Sequence, residues 1–286
     1  MLMVASPANA ARDVSESLNA ADDGRVSISN TSGAIEVEGW SRNQVEVTGT
    51  LGDDVEELIF ERNGDNVRIK VKIPESKGRY RDASADLTIR VPANSSIDVA
   101  TISADIDVQG VLGEQDLQAI SGDIDVEGFG SDIDVETVSG DVEVQGDGKS
   151  ARTDLQSVSG DVSASNVAGD VDLESVSGDI GVVDSSVERG DFETVNGDIT
   201  FRATLERSGR LDIETVNGGV DVEFVGDVSA RFDIETFNGR IRNCFGHKPE
   251  RTSKYAPGWE LSFTEGSGDG RVTIATLNGG VNVCKD

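Results

Sequence analysis

Apolar and polar residues alternate along most of the chain, and from about residue 100 the alternation recurs in copies. Aligned on a shared Gly, the copies centre on Gly122, Gly140, Gly160, Gly178, Gly197, Gly218, Gly239 and Gly279, with Ala104 in the same slot upstream and Gly33 as an outlying member. Successive centres are 18 to 21 residues apart, apart from one interval of 40. A period of about 20 residues marks a stacked repeat. In the copy Leu173–Val182, Ile180 and Val182 stand two and four residues after the Gly, the spacing of one face of a strand. Leu173 and Val176 stand five and two before it, an odd gap that breaks the alternation. The small Ser175 lies between them, and its counterparts elsewhere are Ala119, Thr137, Ser157, Thr194, Thr215, Thr236 and Thr276. A bend is therefore expected at this column, and the Ser-Gly or Asn-Gly that follows supplies a tight corner with a positive φ.

One such unit has no second layer to bury its apolar row, so it is stable only when stacked on copies of itself. The pattern predicts an all-β chain folded as a parallel β-solenoid, right-handed by the crossover rule, with about 20 residues per rung and rungs about 4.8 Å apart. Asn196, Asn217, Asn238 and Asn278 would then lie above one another and bond from rung to rung.

Residues 12–97 are β-rich but less regular, and read as an N-terminal cap continuous with the solenoid of residues 98–286. Asn63-Gly64-Asp65 predicts a hairpin turn, and the segment with Lys77, Arg79 and Arg81 an exposed loop. Residues 1–11 read as a truncated signal or leader, because Ala8-Asn9-Ala10 has the form of a signal-peptidase site. The 40-residue interval leaves room for an inserted loop near residues 245–259. That loop holds the only His of the chain, and His247, Lys248, Arg251, Lys254, Tyr255 and Trp259 form a candidate binding surface, or a lid on the last rungs.

Charge narrows the function classes. Lys and Arg number 25 against 54 Asp and Glu, a formal net charge of −29. Nucleic acid is a poor partner for such a chain, since binding it needs clustered cations. Nor does any run reach the roughly 18 apolar residues of a membrane span. Much of the charge falls in one column, six residues before each Gly, which includes Asp134, Asp154, Asp172, Asp191 and Asp212. Carboxylates about 4.8 Å apart repel by roughly 0.9 kcal/mol per neighbouring pair even in bulk water. Weak, distributed calcium binding would relieve that repulsion; a solvated acidic face is the simpler expectation, and no other cofactor is called for. Cys244 and Cys284 each stand five residues after their Gly, so they share a column. With the 40-residue interval as one rung plus a loop, they lie on adjacent rungs within reach of a disulfide, which implies an oxidising compartment.

Catalytic motifs are not evident. The chain has no Gly-x-Ser-x-Gly elbow, Walker loop or dinucleotide fingerprint, and one His with two Cys makes a poor zinc site. A polysaccharide-active β-helix enzyme would have to draw its cations from Arg240 and Arg242.

The repeated Ser-Val-Ser-Gly-Asp-Ile and Thr-Val-Asn-Gly-Asp-Ile units resemble the bacterial β-strand-repeat family labelled putative adhesins, a domain of unknown function. So do Gly39-Trp40-Ser41-Arg42-Asn43-Gln44-Val45, Leu87-Thr88-Ile89-Arg90-Val91-Pro92 and the Gly-rich segment 265–270. The resemblance runs over roughly residues 24–284 and implies a β-solenoid of the bacterial envelope or exterior without established catalytic residues. The expectation is thus an exported, non-catalytic protein of the periplasm, outer surface or medium. It would bind or scaffold a protein or glycan in an adhesin-like way, with an envelope-stress or regulatory accessory role as the alternative; its oligomeric state is open.

Overall fold

The computed structural model describes residues 11–74, 82–253 and 257–286. The leader segment, the loop with Lys77, Arg79 and Arg81, and Lys254 and Tyr255 lie outside the described residues. Among those described, the regular structure is all β: 23 strands joined in one continuous hydrogen-bonded system.

Each regular repeat is two strands meeting at a corner. In the Gly140 copy, Ile133–Ser139 runs to the corner, Gly140-Asp141 turns it, and Val142–Gly146 leads away. First strands pair in parallel with first strands, setting Val135 between Leu117 and Leu155. Second strands do the same, setting Val144 between Val126 and Ala164. Because pairing is in register, columns of the sequence become columns in space, and the whole is a β-solenoid-like stack. Leu173, Ile180 and Val182 are buried with their counterparts in a core that runs the length of the stack. Toward its C-terminal end Phe192, Phe201, Phe224 and Phe232 form an aromatic file with ring centroids 5.7–5.9 Å apart.

The expected bend at the Ser/Thr column does not occur. The strand Ala168–Ser177 continues straight through Ser175, which points inward and is buried, while Val176 points out and is 46% exposed. At most rungs the buried hydroxyl has a fixed partner, although that of Thr137 in the same column has none among the described residues. Ser175, Thr194 and Thr215 each donate, at 3.1 Å, to the carbonyl of the neighbouring rung's corner Gly. That carbonyl also explains the Gly column. A Cβ on Gly178, Gly197 or Gly218 would overlap the adjacent corner carbonyl. Positive φ, the reason the sequence suggests, applies at Gly122, Gly140 and Gly160 but not at Gly197 or Gly218. Close backbone approach is the cause common to all.

Two more ladders hold the corner. The carboxylate of Asp123 accepts the backbone N–H of Asp141 at 2.9 Å, and the pattern continues through Asp161, Asp179 and Asp198 to the N–H of Gly219. The Asn side chains bond in the file Asn196, Asn217, Asn278, Asn238 at 2.8–2.9 Å.

Order in that last file departs from order in the chain, and the same inversion occurs at both ends of the stack. The strand Gly270–Asn278 lies between the Gly218 and Gly239 rungs, with Ile274 beside both Ile213 and Ile234. At the other end Arg25–Trp40 lies between the Ala104 rung and a rung formed by Asn66–Lys72 and Ala85–Pro92. Gly33 thereby joins the column directly, facing Ala104. Arg25–Trp40 and residues 270–285 are thus each one rung in from an end of the stack, and the rungs of residues 66–92 and 230–243 are outermost. Each outermost rung is covered by antiparallel strands: Trp259–Thr264 at one end, Glu57–Asn63 and Gln44–Leu51 at the other. Such coverage blocks edge-to-edge association. Cys244 and Cys284 are joined by a disulfide with Cα atoms 4.8 Å apart, linking the last two rungs. The C-terminal strand that it fixes is an interior strand, not the frayed edge expected of a chain end.

Candidate functional site

The outward Val column makes the most distinctive surface of the molecule. Ile102, Ile120, Val138, Val158 and Val176 stand in line, followed in space by Val195, Val216, Leu277 and Phe237, and each is 39–52% exposed. Nine adjacent rungs at about 4.8 Å give an apolar stripe roughly 38 Å long. From Ile120 to Phe237 it forms the floor of a groove of about 1040 Å³, with Trp259 at one end, over whose ring Arg251 sits at 4.7 Å. A contiguous exposed apolar surface of this kind marks an interaction site far more often than scattered apolar side chains do.

Strand alternation then fixes what borders the stripe. On the corner side lie the neutral Ser and Asn residues. On the other side comes a row with Glu136, Glu174, Glu193, Glu214 and Glu235, and beyond it the Asp row. Farther out still, about 20 Å from the stripe at 3.3 Å per residue, Arg189, Arg210, Arg271 and Arg231 stack on adjacent rungs.

Stacking alters the chemistry of the acids. Burial, then repulsion from Asp154, Asp191 and Glu174, pushes the Asp172 carboxyl up to about 6. Asp134, Asp191 and Glu193 are raised for the same reasons, burial first. Asp154 is shielded by Arg152, whose guanidinium bonds it at 2.7 Å. Among the described residues no group of three or more His, Cys, Asp or Glu side chains is gathered closely enough to hold a metal ion. Because these carboxyls hold their protons more tightly when folded, their contribution to stability grows as pH falls from about 6 toward 4 and is lost as pH rises through that window. The Asp172→Asn variant is expected to melt higher than wild type at pH 7.5 and to match it near pH 4; thermal melts across that range check it.

The described candidate loop residues, His247, Lys248, Arg251 and Trp259, do not converge on one site. His247 stacks on Phe263 with centroids 4.4 Å apart, and Phe263 stacks on Phe232, so His247 extends the aromatic file as part of the end cover. Lys248 is exposed, Arg251 and Trp259 lie on short strands, and only Trp259 lines the groove. Arg240 and Arg242 share a shallow hollow with Asp198 and Asp221 on the other face. The stripe itself was readable as a column but not as a surface, because Ile and Val beside a bend look like core.

The Toastrack DUF4097 family matches residues 24–284, nearly the whole chain. The chain belongs to that family. This Toastrack chain is similar to solved structures over almost their full lengths at low identity. A putative adhesin from Parabacteroides distasonis is 14% identical, with 96% of this chain and 97% of that one covered and a TM-score of 0.50. A putative adhesin from Bacteroides fragilis is 12% identical, covering 95% and 96%, with a TM-score of 0.47. A putative lipid binding protein from Parabacteroides distasonis is 13% identical, covering 96% of each chain, with a TM-score of 0.39. Curated proteins give no match.

Proposed function

We propose that this Toastrack chain is a non-catalytic, exported protein of the periplasm, outer surface or medium that binds or scaffolds a partner in an adhesin-like way, with the apolar groove as its contact surface and no cofactor. The observation that carries this reading is the solvent-open stripe of nine apolar side chains on a rigid stack. Natural proteins rarely expose such a surface without something to cover it. The Cys244–Cys284 disulfide supports an oxidising compartment. No helix of the described residues is long and apolar enough to cross a membrane, and a net charge of −29 argues against nucleic acid. A right-handed coil of about 20 residues per rung belongs to the same reading.

The test is saturable binding of the purified protein to bacterial or host cell surfaces and to glycan and matrix panels, compared with a Val176→Asn, Val195→Asn double variant. Both side chains are exposed, so the variant should melt as wild type does yet lose the binding. Equal binding by the variant removes the groove from the reading.

A further inference from the structure

The composition of the groove specifies what covers it. We propose that the stripe docks a cationic amphipathic helix of a protein partner, laid along the stack axis with its apolar face on the Val column and its Lys or Arg residues over the Glu row. This inference rests on the reading of the groove as a contact surface.

Geometry selects the helix. A partner lying lengthwise must present apolar side chains at intervals close to the rung spacing of about 4.8 Å; a helix offers one per turn of about 5.4 Å, whereas an extended strand offers one per about 6.8 Å on a given face. The helix falls out of step by about 0.6 Å per contact and the strand by about 2 Å, so the helix reaches a half-rung mismatch only after about four contacts and the strand after little more than one. Covering the roughly 38 Å stripe takes about 25 helical residues at 1.5 Å each.

Charge selects the sign. Glu136, Glu174, Glu193, Glu214 and Glu235 border the stripe on one side and the Asp row backs them. The four-Arg row lies about 20 Å away, beyond a Debye length of about 8 Å. An anionic or neutral partner would leave this field unanswered, and a second copy would bring its own net charge of −29 against it. The corner side is lined by neutral Ser and Asn, with the corner ladder of Asp123, Asp141, Asp161, Asp179 and Asp198 beyond them, three residues from the stripe. The helix should therefore carry cations on both flanks, most of them over the Glu row, which stands nearer the stripe and sets its roll. Binding of this form combines an apolar helix face in a groove with electrostatic steering.

The experiment uses a fluorescein-labelled Leu/Lys peptide of about 25 residues with one apolar face. It is compared with a Leu/Glu peptide of the same pattern and a Val/Lys peptide of alternating pattern. Saturable binding of the first is expected, weakened roughly tenfold or more by the Val176→Asn, Val195→Asn pair. In a Glu174→Gln, Glu193→Gln, Glu214→Gln variant its dependence on salt should shrink. Equal or tighter binding of either comparison peptide, tighter binding of a fatty acid, or a wild-type dimer dispersed by the Val pair in sedimentation overturns the proposal. Nile red separates the two levels of inference. Dye taken up by wild type and not by the Val variant, without peptide binding, leaves the groove reading standing and overturns only the helix. Absence of both dye and peptide binding overturns both.

Discussion

Removing the disulfide, by reduction or as the Cys244→Ser, Cys284→Ser variant, is expected to cost the folded protein about 4 kcal/mol on the chain-entropy relation for a loop of about 40 residues. The bond closes a 40-residue separation and joins the two strands that lie at the end of the stack. Its effect should be local in structure as well as global in energy. The terminal rung has an aromatic cover, Phe232, Phe245 and Phe263 with centroids 4.4–5.4 Å apart, but only the short strand Ile241–Asn243 beside the corner. Without the bond, hydrogen exchange at Ile241 and Val281 should accelerate far more than at Val142 or Val162, which lie mid-stack. Denaturant titration with and without reductant measures the cost. A midpoint that does not move would show that pairing with Val281–Lys285 alone holds the terminal rung.

The second large effect is expected at the corner. Gly197→Ala should destabilise by about 3 kcal/mol or more, because a Cβ there overlaps the backbone carbonyl of Gly178 and a backbone fixed by its ladder cannot yield as a side chain can. The same carbonyl accepts the Thr194 hydroxyl at 3.1 Å, so pushing it away also loosens a partly buried hydrogen bond. Ala104 supplies the internal control. It occupies the same column, but its strand, Ser96–Gln109, runs through the position without a break, and a Cβ is accommodated there. Ala104→Gly should therefore change stability by only about 1 kcal/mol, in the unfavourable direction. Urea titrations of the two variants give the comparison; equal effects would assign the Gly column to conformational freedom instead of close approach.

Much of this was legible in the residues. The buried columns, the Asn file, the hairpin at Gly64 and the Cys pair follow from spacing alone, since in-register stacking converts sequence period into spatial neighbours. The inward Ser/Thr column was not legible. Ser175 and Thr194 are buried for the sake of a carbonyl on another rung, and hydrophobicity, the usual guide to burial, points to Val176 and Val195 instead. That one substitution of inward for outward is why the groove, the candidate site itself, was missed. The Asp corner ladder was not legible either: Asp123, Asp141 and Asp161 each accept a backbone N–H from the next rung, a bond that neither spacing nor hydrophobicity signals. Rung order at the ends was obscure because every copy carries the same columns and would stack on any other. A signal did exist. Thr215-Val-Asn-Gly-Gly-Val220 and Thr276-Leu-Asn-Gly-Gly-Val281 share a Gly-Gly that the Gly239 copy lacks, having Arg240 instead. The two matching copies are the ones in contact.

The inversion of rung order governs how the molecule would answer a pull on its termini. In a simple stack, tension on the last strand opens one ladder from its end, bond by bond. Here Val281–Lys285 is gripped by Val220–Phe224 on one side and Ile241–Asn243 on the other, and Arg25–Trp40 is gripped by rungs on both faces. Force applied at the C-terminus must therefore slide a strand out from between two neighbours, so that both ladders resist together in shear; force at the N-terminus first loads Arg12–Asn19, paired with Gln44–Leu51 alone, before it reaches the doubly held Arg25–Trp40. A stack built in this way behaves under load as a clamped rod instead of a ribbon that peels.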